Sequence, residues 1–269
     1  MARRTRLDTE LVRRGLARSR EQAAQLVSDG LVSVAGQVAA KPATQVDPGA
    51  PIVLVETRPG LDYASRGGPK LAGALDAFEP RGLLVRGRRC LDAGASTGGF
   101  TDVLLRRGAA QVIAVDVGYG QLAWTLRTDP RVTVLDRHNV RELTADQLGG
   151  PPVQLVVADL SFISLTLVLP ALRGCAEPDA DFVLMVKPQF EVGRERLGRG
   201  GVVRDPELRA EAVSTVAAAA SELELGTSGV VASPLPGPAG NVEYFLWLRA
   251  GAPAAAPEDI AAAVRSGPS

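Results

Sequence analysis

The chain has 269 residues, 46% of them hydrophobic, and its 30 basic residues balance 30 acidic ones. That exceeds the length of one average domain and supplies apolar material for a sizeable core, while zero net charge excludes a protein coated evenly in positive charge. Two cysteines exclude a disulfide framework, no apolar run reaches membrane-span length and no apolar stretch follows the basic N-terminus, so a soluble, cytoplasmic protein with no membrane or metal partner is expected.

Residues 1–20 hold seven arginines against Asp8 and Glu10, a net of +5. Such a cluster on a balanced chain suggests a local surface for a polyanion. Over residues 1–57 the pattern reads as one compact unit. Leu7, Leu11 and Val12 repeat at helical spacing, and Ser19 with Gln22 forms a capping-box pattern ahead of a second helix, Arg20–Val27, which Gly30 ends. Strands are expected at Leu31–Val34 and Gln37–Ala39, turning through Ala35-Gly36, and at Ile52–Glu56. Residues 58–68, R-P-G-L-D-Y-A-S-R-G-G, favour turns and mark the joint between domains.

From 69 to 249, apolar runs alternate with helical stretches: strands Arg89–Asp92, Gln111–Asp116, Val132–Leu135, Val153–Asp159 and Asp181–Lys187, then a helix Pro206–Leu223 and strands Gly226–Ala232 and Glu243–Leu248. This alternation predicts a Rossmann-like α/β body of parallel strands with helical crossovers. Residues 250–269 are rich in alanine and proline. They predict a mobile tail with at most a short helix at Pro257–Arg265.

The first strand of the body runs into L-D-A-G-A-S-T-G-G-F, residues 91–100. Gly94, Gly98 and Gly99 allow close approach of a ligand to the backbone, and the N-terminus of the following helix offers unpaired N–H groups. A dinucleotide turn would need glycine at 96, where Ser96 stands, followed by Thr97. Asp116 ends the second strand, where a carboxylate can take both hydroxyls of a ribose. Turn and acid together point to an adenosine-bearing ligand with no pyrophosphate at the turn, a description that S-adenosylmethionine fits. Asp159 lies in D-L-S-F, without the Asn/Asp-Pro-Pro-aromatic pattern of amino-group methylases, and neither cysteine follows a proline as a carbon-5 methylase would need. A hydroxyl is the more economical methyl acceptor.

Only three basic residues are lysines: Lys41, Lys70 and Lys187. Arginine is a permanent charge, so these are candidates for cations that release a proton, with codon bias toward arginine as the alternative. In the expected strand order, Lys70 opens the first helix of the body, Asp159 and Lys187 end adjacent strands, and Glu243 begins the last strand. All four can converge on the ligand side of the sheet.

Lys70, Asp159, Lys187 and Glu243 resemble the Lys-Asp-Lys-Glu tetrad of FtsJ-like ribose 2′-O-methyltransferases, and the N-terminal module resembles an S4 RNA-binding domain. With S-R-G-G-P-K-L, G-A-S-T-G-G-F, D-V-G-Y-G-Q-L, A-D-L-S-F-I-S-L, K-P-Q-F-E-V-G and G-N-V-E-Y-F-L in this order, nearly the whole chain resembles the TlyA family. The resemblance implies a class I methyltransferase fold with a mixed seven-stranded sheet behind a small α+β S4-like domain, S-adenosylmethionine as methyl donor, and the cytidine 2′-hydroxyl of 16S or 23S ribosomal RNA, within ribosomal subunits, as acceptor. Lys187 would be the general base, oriented by Asp159, with Lys70 as neighbouring cation and Glu243 holding Lys70 or the target ribose. Asn139 falls where related enzymes contact the adenine, and Phe100 is placed either near the methionine end of the donor or in a helix core. His138, the only histidine, reads as a rim or surface residue. The segment after Lys187 is rich in glycine and carries Arg194, Arg196, Arg199 and Arg204; a loop of that length is expected to close on the RNA backbone. Arg3, Arg4, Arg6, Arg18, Arg20, Lys41 and Arg66 are the other phosphate-contact candidates. Tyr63 stands where an actinobacterial tryptophan is expected. Two alternatives remain: a membrane-active haemolysin, a label the family also carries, and a non-catalytic ribosome-binding factor.

Overall fold

A computed structural model describes residues 4–17, 19–28, 30–54, 63–198 and 200–268. The chain forms two compact units, the second beginning at Tyr63.

The first unit runs β1 (Thr5–Arg6), α1 (Leu7–Arg13), α2 (Arg20–Ser28), β2 (Val32–Val34), β3 (Gln37–Val38), β4 (Gln45–Val46) and β5 (Ile52–Leu54). The Ser19 hydroxyl accepts from the Gln22 N–H at 3.1 Å, the cap expected for α2. β2 and β3 turn through Ala35 and Gly36, both at positive φ, which a two-residue hairpin loop requires. β5 adds to β2 as the third antiparallel strand. Leu7, Leu11, Ala23, Val27, Val32, Val46 and Ile52 form the core. The pairing of β1 with β4 was not expected, since strands of two residues carry no readable periodicity.

The second unit runs α3 (Gly67–Phe78), β6 (Arg89–Ala93), α4 (Gly99–Arg106), β7 (Gln111–Asp116), α5 (Trp124–Arg127), β8 (Val132–Asp136), β9 (Val153–Ala158), α6 (Leu169–Gly174), β10 (Ala176–Val186), α7 (Pro188–Glu191), α8 (Pro206–Ser221), β11 (Leu225–Ala232), β12 (Tyr244–Ala250) and α9 (Pro257–Ser266). Its seven-stranded sheet has the order β11-β12-β10-β9-β6-β7-β8. β6 to β10 are parallel, and β12 lies antiparallel between β10 and β11. The central strands are covered on both faces, so their middles are mostly apolar and alternate side chains enter opposite cores. Cys90, Val112, Leu155, Val157, Val183 and Met185 face α3 and α4. Leu91, Ile113, Val156, Phe182, Leu184 and Leu246 face the side covered by α6, α8 and α9.

Two expected boundaries move. Of the joint 58–68, residues 58–62 lie outside the described residues, and 63–68 belong to the second unit, with Tyr63 packed on the core beneath α3. The tail after 250 is part of the body, because α9 buries Ile260 and Ala263 in the core it shares with α8 and the sheet. Pro257 in the first turn, Glu258 and Asp259 beside it and Arg265 in the last turn suit this alanine-rich segment to a helix.

Candidate active site

Strand order reverses between β6 and β9, opening a crevice at the carboxyl ends of the strands. Gly94 leaves β6 at φ +87°, and a Cβ there would lie 2.6 Å from the Asp159 carbonyl, so only glycine fits. Gly99 starts α4 so close to α3 that a Cβ would meet Ser65 Oγ at 2.2 Å and the Gly68 nitrogen at 2.8 Å. The Ala64 N–H donates to Asp102 Oδ2 of α4 at 2.9 Å, and Arg106 lies 4.7 Å over the Tyr63 ring. Residues 63–68 are therefore built onto the helix that the glycine turn starts.

In that turn Ser96 holds a positive φ of 48°, and its N–H donates to Asp116 Oδ2 at 2.8 Å. The other Asp116 oxygen accepts from the Gly118 N–H at 2.7 Å. Each oxygen keeps a free lone pair, so Asp116 is fixed in place and still able to accept. Ser96 Oγ, Thr97 Oγ1 and Asp92 Oδ1 are buried with no hydrogen-bond partner. Unpartnered buried oxygens are rare and costly, and three around one glycine turn fit a polar ligand seated there. Asp92, unnoticed in the sequence although it sits in L-D-A-G, accepts from Thr101 Oγ1 at 2.6 Å through its other oxygen. Burial pushes its carboxyl up to about 7, against the Thr101 hydrogen bond and with a further push from Asp159 and Asp116.

Phe100 is buried in the core, its ring 6.0 Å from that of Phe245. Asn139 caps the helical turn 140–142 by accepting from the Arg141 N–H at 3.1 Å, and is exposed. His138 Nδ1 lies 2.8 Å from the Asp136 carbonyl. Among the described residues no cluster of three or more His, Cys, Asp or Glu could hold a metal, and no helix is long and apolar enough to cross a membrane.

Two lysine–carboxylate pairs stand at the same end of the sheet. Ala158 of β9 pairs with Leu184, and Val186 of β10 with Tyr244, so Asp159, Lys187 and Glu243 leave three neighbouring strands together. Lys187 Nζ is 2.6 Å from Asp159 Oδ1 and donates to Ser161 Oγ at 2.8 Å. Lys70 Nζ, from the first turn of α3, is 2.6 Å from Glu243 Oε2, both side chains being almost wholly buried. Gly237 passes so near Glu243 that a Cβ would lie 2.7 Å from Oε1. Beyond Lys187, Phe162 is 91% exposed at φ +65° with its ring 5.2 Å from Phe190. Positive φ is uncommon for a bulky residue, so Phe162 holds a strained backbone conformation beyond the end of β9. Neither Ser161 nor the ring pair was singled out in the sequence.

The expected phosphate contacts divide. Arg6 and Arg20 both pair with Asp8, at 2.7 and 3.1 Å, and Arg196 pairs with Glu211. Arg66 donates to the Pro236 carbonyl at 3.3 Å. Arg4 and Lys41 are exposed. Arg3, Arg18 and Arg199 lie outside the described residues, as does the side chain of Arg194. Of the described residues after Lys187, Val192 and Val203 are buried with Ala212 in a small core that Leu197 and Leu208 flank.

Residues 63–250 match the FtsJ-like methyltransferase family and residues 5–52 match the S4 domain. The chain belongs to the FtsJ-like methyltransferases, in their TlyA branch. It is 64% identical over 93% of its length to the 16S/23S rRNA (cytidine-2'-O)-methyltransferase TlyA of Mycobacterium tuberculosis, of which the match covers 91%. It is 34% identical over 89% of its length to Hemolysin A of Brachyspira hyodysenteriae, covering 98% of that protein. A solved structure named "Putative hemolysin from Streptococcus thermophilus" superposes with a TM-score of 0.75 at 38% identity, covering 98% of this chain and 96% of that one. This TlyA-branch chain therefore has the expected architecture of an S4 domain followed by a seven-stranded methyltransferase sheet.

Proposed function

We propose that the chain transfers a methyl group from S-adenosylmethionine to the 2′-hydroxyl of cytidine in ribosomal RNA, in the 16S molecule, the 23S molecule or both. The observation that carries this reading is the pairing of Lys187 with Asp159 and of Lys70 with Glu243 beside a glycine turn with three unpartnered buried oxygens. The cytidine 2′-hydroxyl in the name of the M. tuberculosis relative supports the choice of acceptor.

The turn 94–99 with Ser96 and Thr97 would hold the donor, Asp92 would face its polar end and Asp116 its ribose hydroxyls, with Asn139 at the adenine rim. The donor, when bound, supplies a methyl already activated for in-line displacement. What the protein must add is alignment and a place for the hydroxyl proton. Lys187 accepts that proton, and Asp159 with Ser161 fixes the direction of its amine. Lys70, held by Glu243, places a second cation beside the reacting oxygen, favouring the anionic form of the ribose oxygen. Arg4, Arg6, Arg20 and Lys41 of the S4 unit, with Arg66 and the segment bearing Arg196, contact phosphates. These contacts set register and leave base choice to RNA shape.

The experiment is transfer of labelled methyl from S-adenosylmethionine to purified ribosomal subunits, followed by alkaline hydrolysis. Label in dinucleotides that resist cleavage is the expected result; label released on a base would refute the ribose assignment. Full biological effect in a Lys187→Ala variant would favour the non-catalytic binding factor, and liposome leakage indifferent to that change would favour the haemolysin.

A further inference from the structure

Asn241 lies two residues before Glu243, is 2% exposed, and has both ends of its amide bonded to one distant stretch of backbone. Its Oδ1 accepts from the Val203 N–H at 2.9 Å and its Nδ2 donates to the Gly201 carbonyl at 3.0 Å. An amide bonded at both ends is fixed in orientation and fixes what it holds. What it holds is the glycine- and arginine-rich segment after Lys187. From α8, Arg209 Nε also donates to the Val203 carbonyl at 2.9 Å, so Val203 is gripped on both polar atoms while its side chain is buried.

The other end of the connection reaches the lysine–carboxylate pairs. The Asn241 carbonyl accepts from the Gly237 N–H at 2.8 Å, and Gly237 is the residue that grazes Glu243 Oε1. Pro234 of the same arch packs where a Cβ on Gly73 of α3 would stand, 2.8 Å away, and Arg66 reaches its Pro236 carbonyl. One side chain thus joins the segment to the short arch that seats Glu243 against Lys70.

We infer that Asn241 is a positioning residue for the RNA: it holds the arginine-bearing segment at a fixed distance from the Lys70–Glu243 pair, so that the backbone docked on one is in register with the ribose presented to the other. This rests on the RNA-methylation reading above. Loss of the amide frees the segment without removing any arginine or any member of the two pairs.

The test uses the full chain, ribosomal subunits and S-adenosylmethionine. Asn241→Ala is expected to raise KM for subunits roughly 10-fold while kcat at saturating subunits changes less than about twofold, because misplacement weakens docking and leaves the chemistry intact. Affinity for S-adenosylmethionine should not move. Gly198→Ala is the second variant, in case the first folds poorly: its Cβ would meet the Val202 carbonyl at 2.6 Å, opening the same segment from within while leaving Asn241 in place. It should raise KM likewise, and the double variant should be no worse than either single one, since both act on one element. Amide exchange at Val203 should quicken in Asn241→Ala. A fall in kcat at unchanged KM, a loss of donor affinity, or multiplicative KM effects in the double variant would overturn the inference. If the unaltered chain moved no methyl to RNA, the reading of the reaction would fall, and cosedimentation of the variants with subunits would still decide this one.

Discussion

In the S4 unit Asp8 is almost fully buried, while the arginines it holds remain in solvent, Arg6 with 45% and Arg20 with 60% of its side chain exposed. In the methyltransferase body the carboxylates hold lysines, and there the lysine is buried too, with 8% of the Lys70 side chain and 10% of the Lys187 side chain exposed. The first arrangement displays permanent charges in a fixed fork, which suits a phosphate. The second encloses cations able to lose a proton, which suits chemistry on a hydroxyl. One kind of ion pair is therefore suited to recognition or, as proposed, to reaction according to which partner faces water and whether its cation is an arginine or a lysine.

Exchanging the two kinds of cation tests this contrast hardest. Lys187→Arg keeps a positive charge beside Asp159 and removes the amine proposed to accept the hydroxyl proton. Turnover should fall by about 10²–10⁴-fold, the range of general-base catalysis, with subunit binding preserved. Lys70→Arg preserves charge where charge is the proposed contribution, so its loss should be smaller. Single-turnover methyl transfer under saturating subunits measures both, and a larger loss at Lys70 would exchange the roles of the two lysines.

Candidate site residues placed at strand ends were legible in the sequence. Asp116, Asp159, Lys187 and Glu243 sit beside long apolar runs whose order follows from alternation of strand and helix, and their convergence is a consequence of topology. Gly94 and Gly99 were legible because a sharp turn into a helix tolerates few other residues. Asn241 was not, because its role is defined by Gly201 and Val203, some forty residues away, and one asparagine carries no periodicity. The pairing of Arg6 and Arg20 with Asp8 was missed for a related reason: a count of charges does not say which carboxylate is buried. The helix at 257–266 was underrated because its composition resembles a linker, although Ile260, Ala263 and Val264 lie on one face.

Asp92 sharpens the contrast from within the body, being a buried carboxylate with no basic partner among the described residues. Its folded-state value of about 7 lies above the ordinary 3.8, so between the two the folded chain binds a proton that the unfolded chain releases. Stability must then fall as pH rises through that window, and the deficit is complete above pH 7. Asp92→Asn removes the ionisation and keeps an oxygen for the Thr101 hydroxyl. The variant should gain about 1–3 kcal/mol over the parent at pH 8 and show little advantage at pH 4, measured by denaturant unfolding without donor. Parallel pH profiles for the two proteins would refute the assignment.

The smallest expected effect lies in the S4 unit and decides whether its carboxylates position or merely neutralise. Arg6 holds the Asp8 carboxyl well below the usual range, against the cost of burial and with help from Arg20, so Asp8 is charged at any working pH. Asp8→Ala makes the S4 unit more positive by one charge. If Asp8 only neutralised, that change would tighten subunit binding and steepen its salt dependence. If Asp8 holds Arg6 and Arg20 in a fork matched to phosphates, freeing them costs the order that their exposed side chains otherwise lack. The expected outcome is a several-fold weaker subunit affinity, on the order of 1 kcal/mol, despite the added charge. Equilibrium binding at two salt concentrations distinguishes the cases, because only positioning predicts weaker binding by a more basic protein.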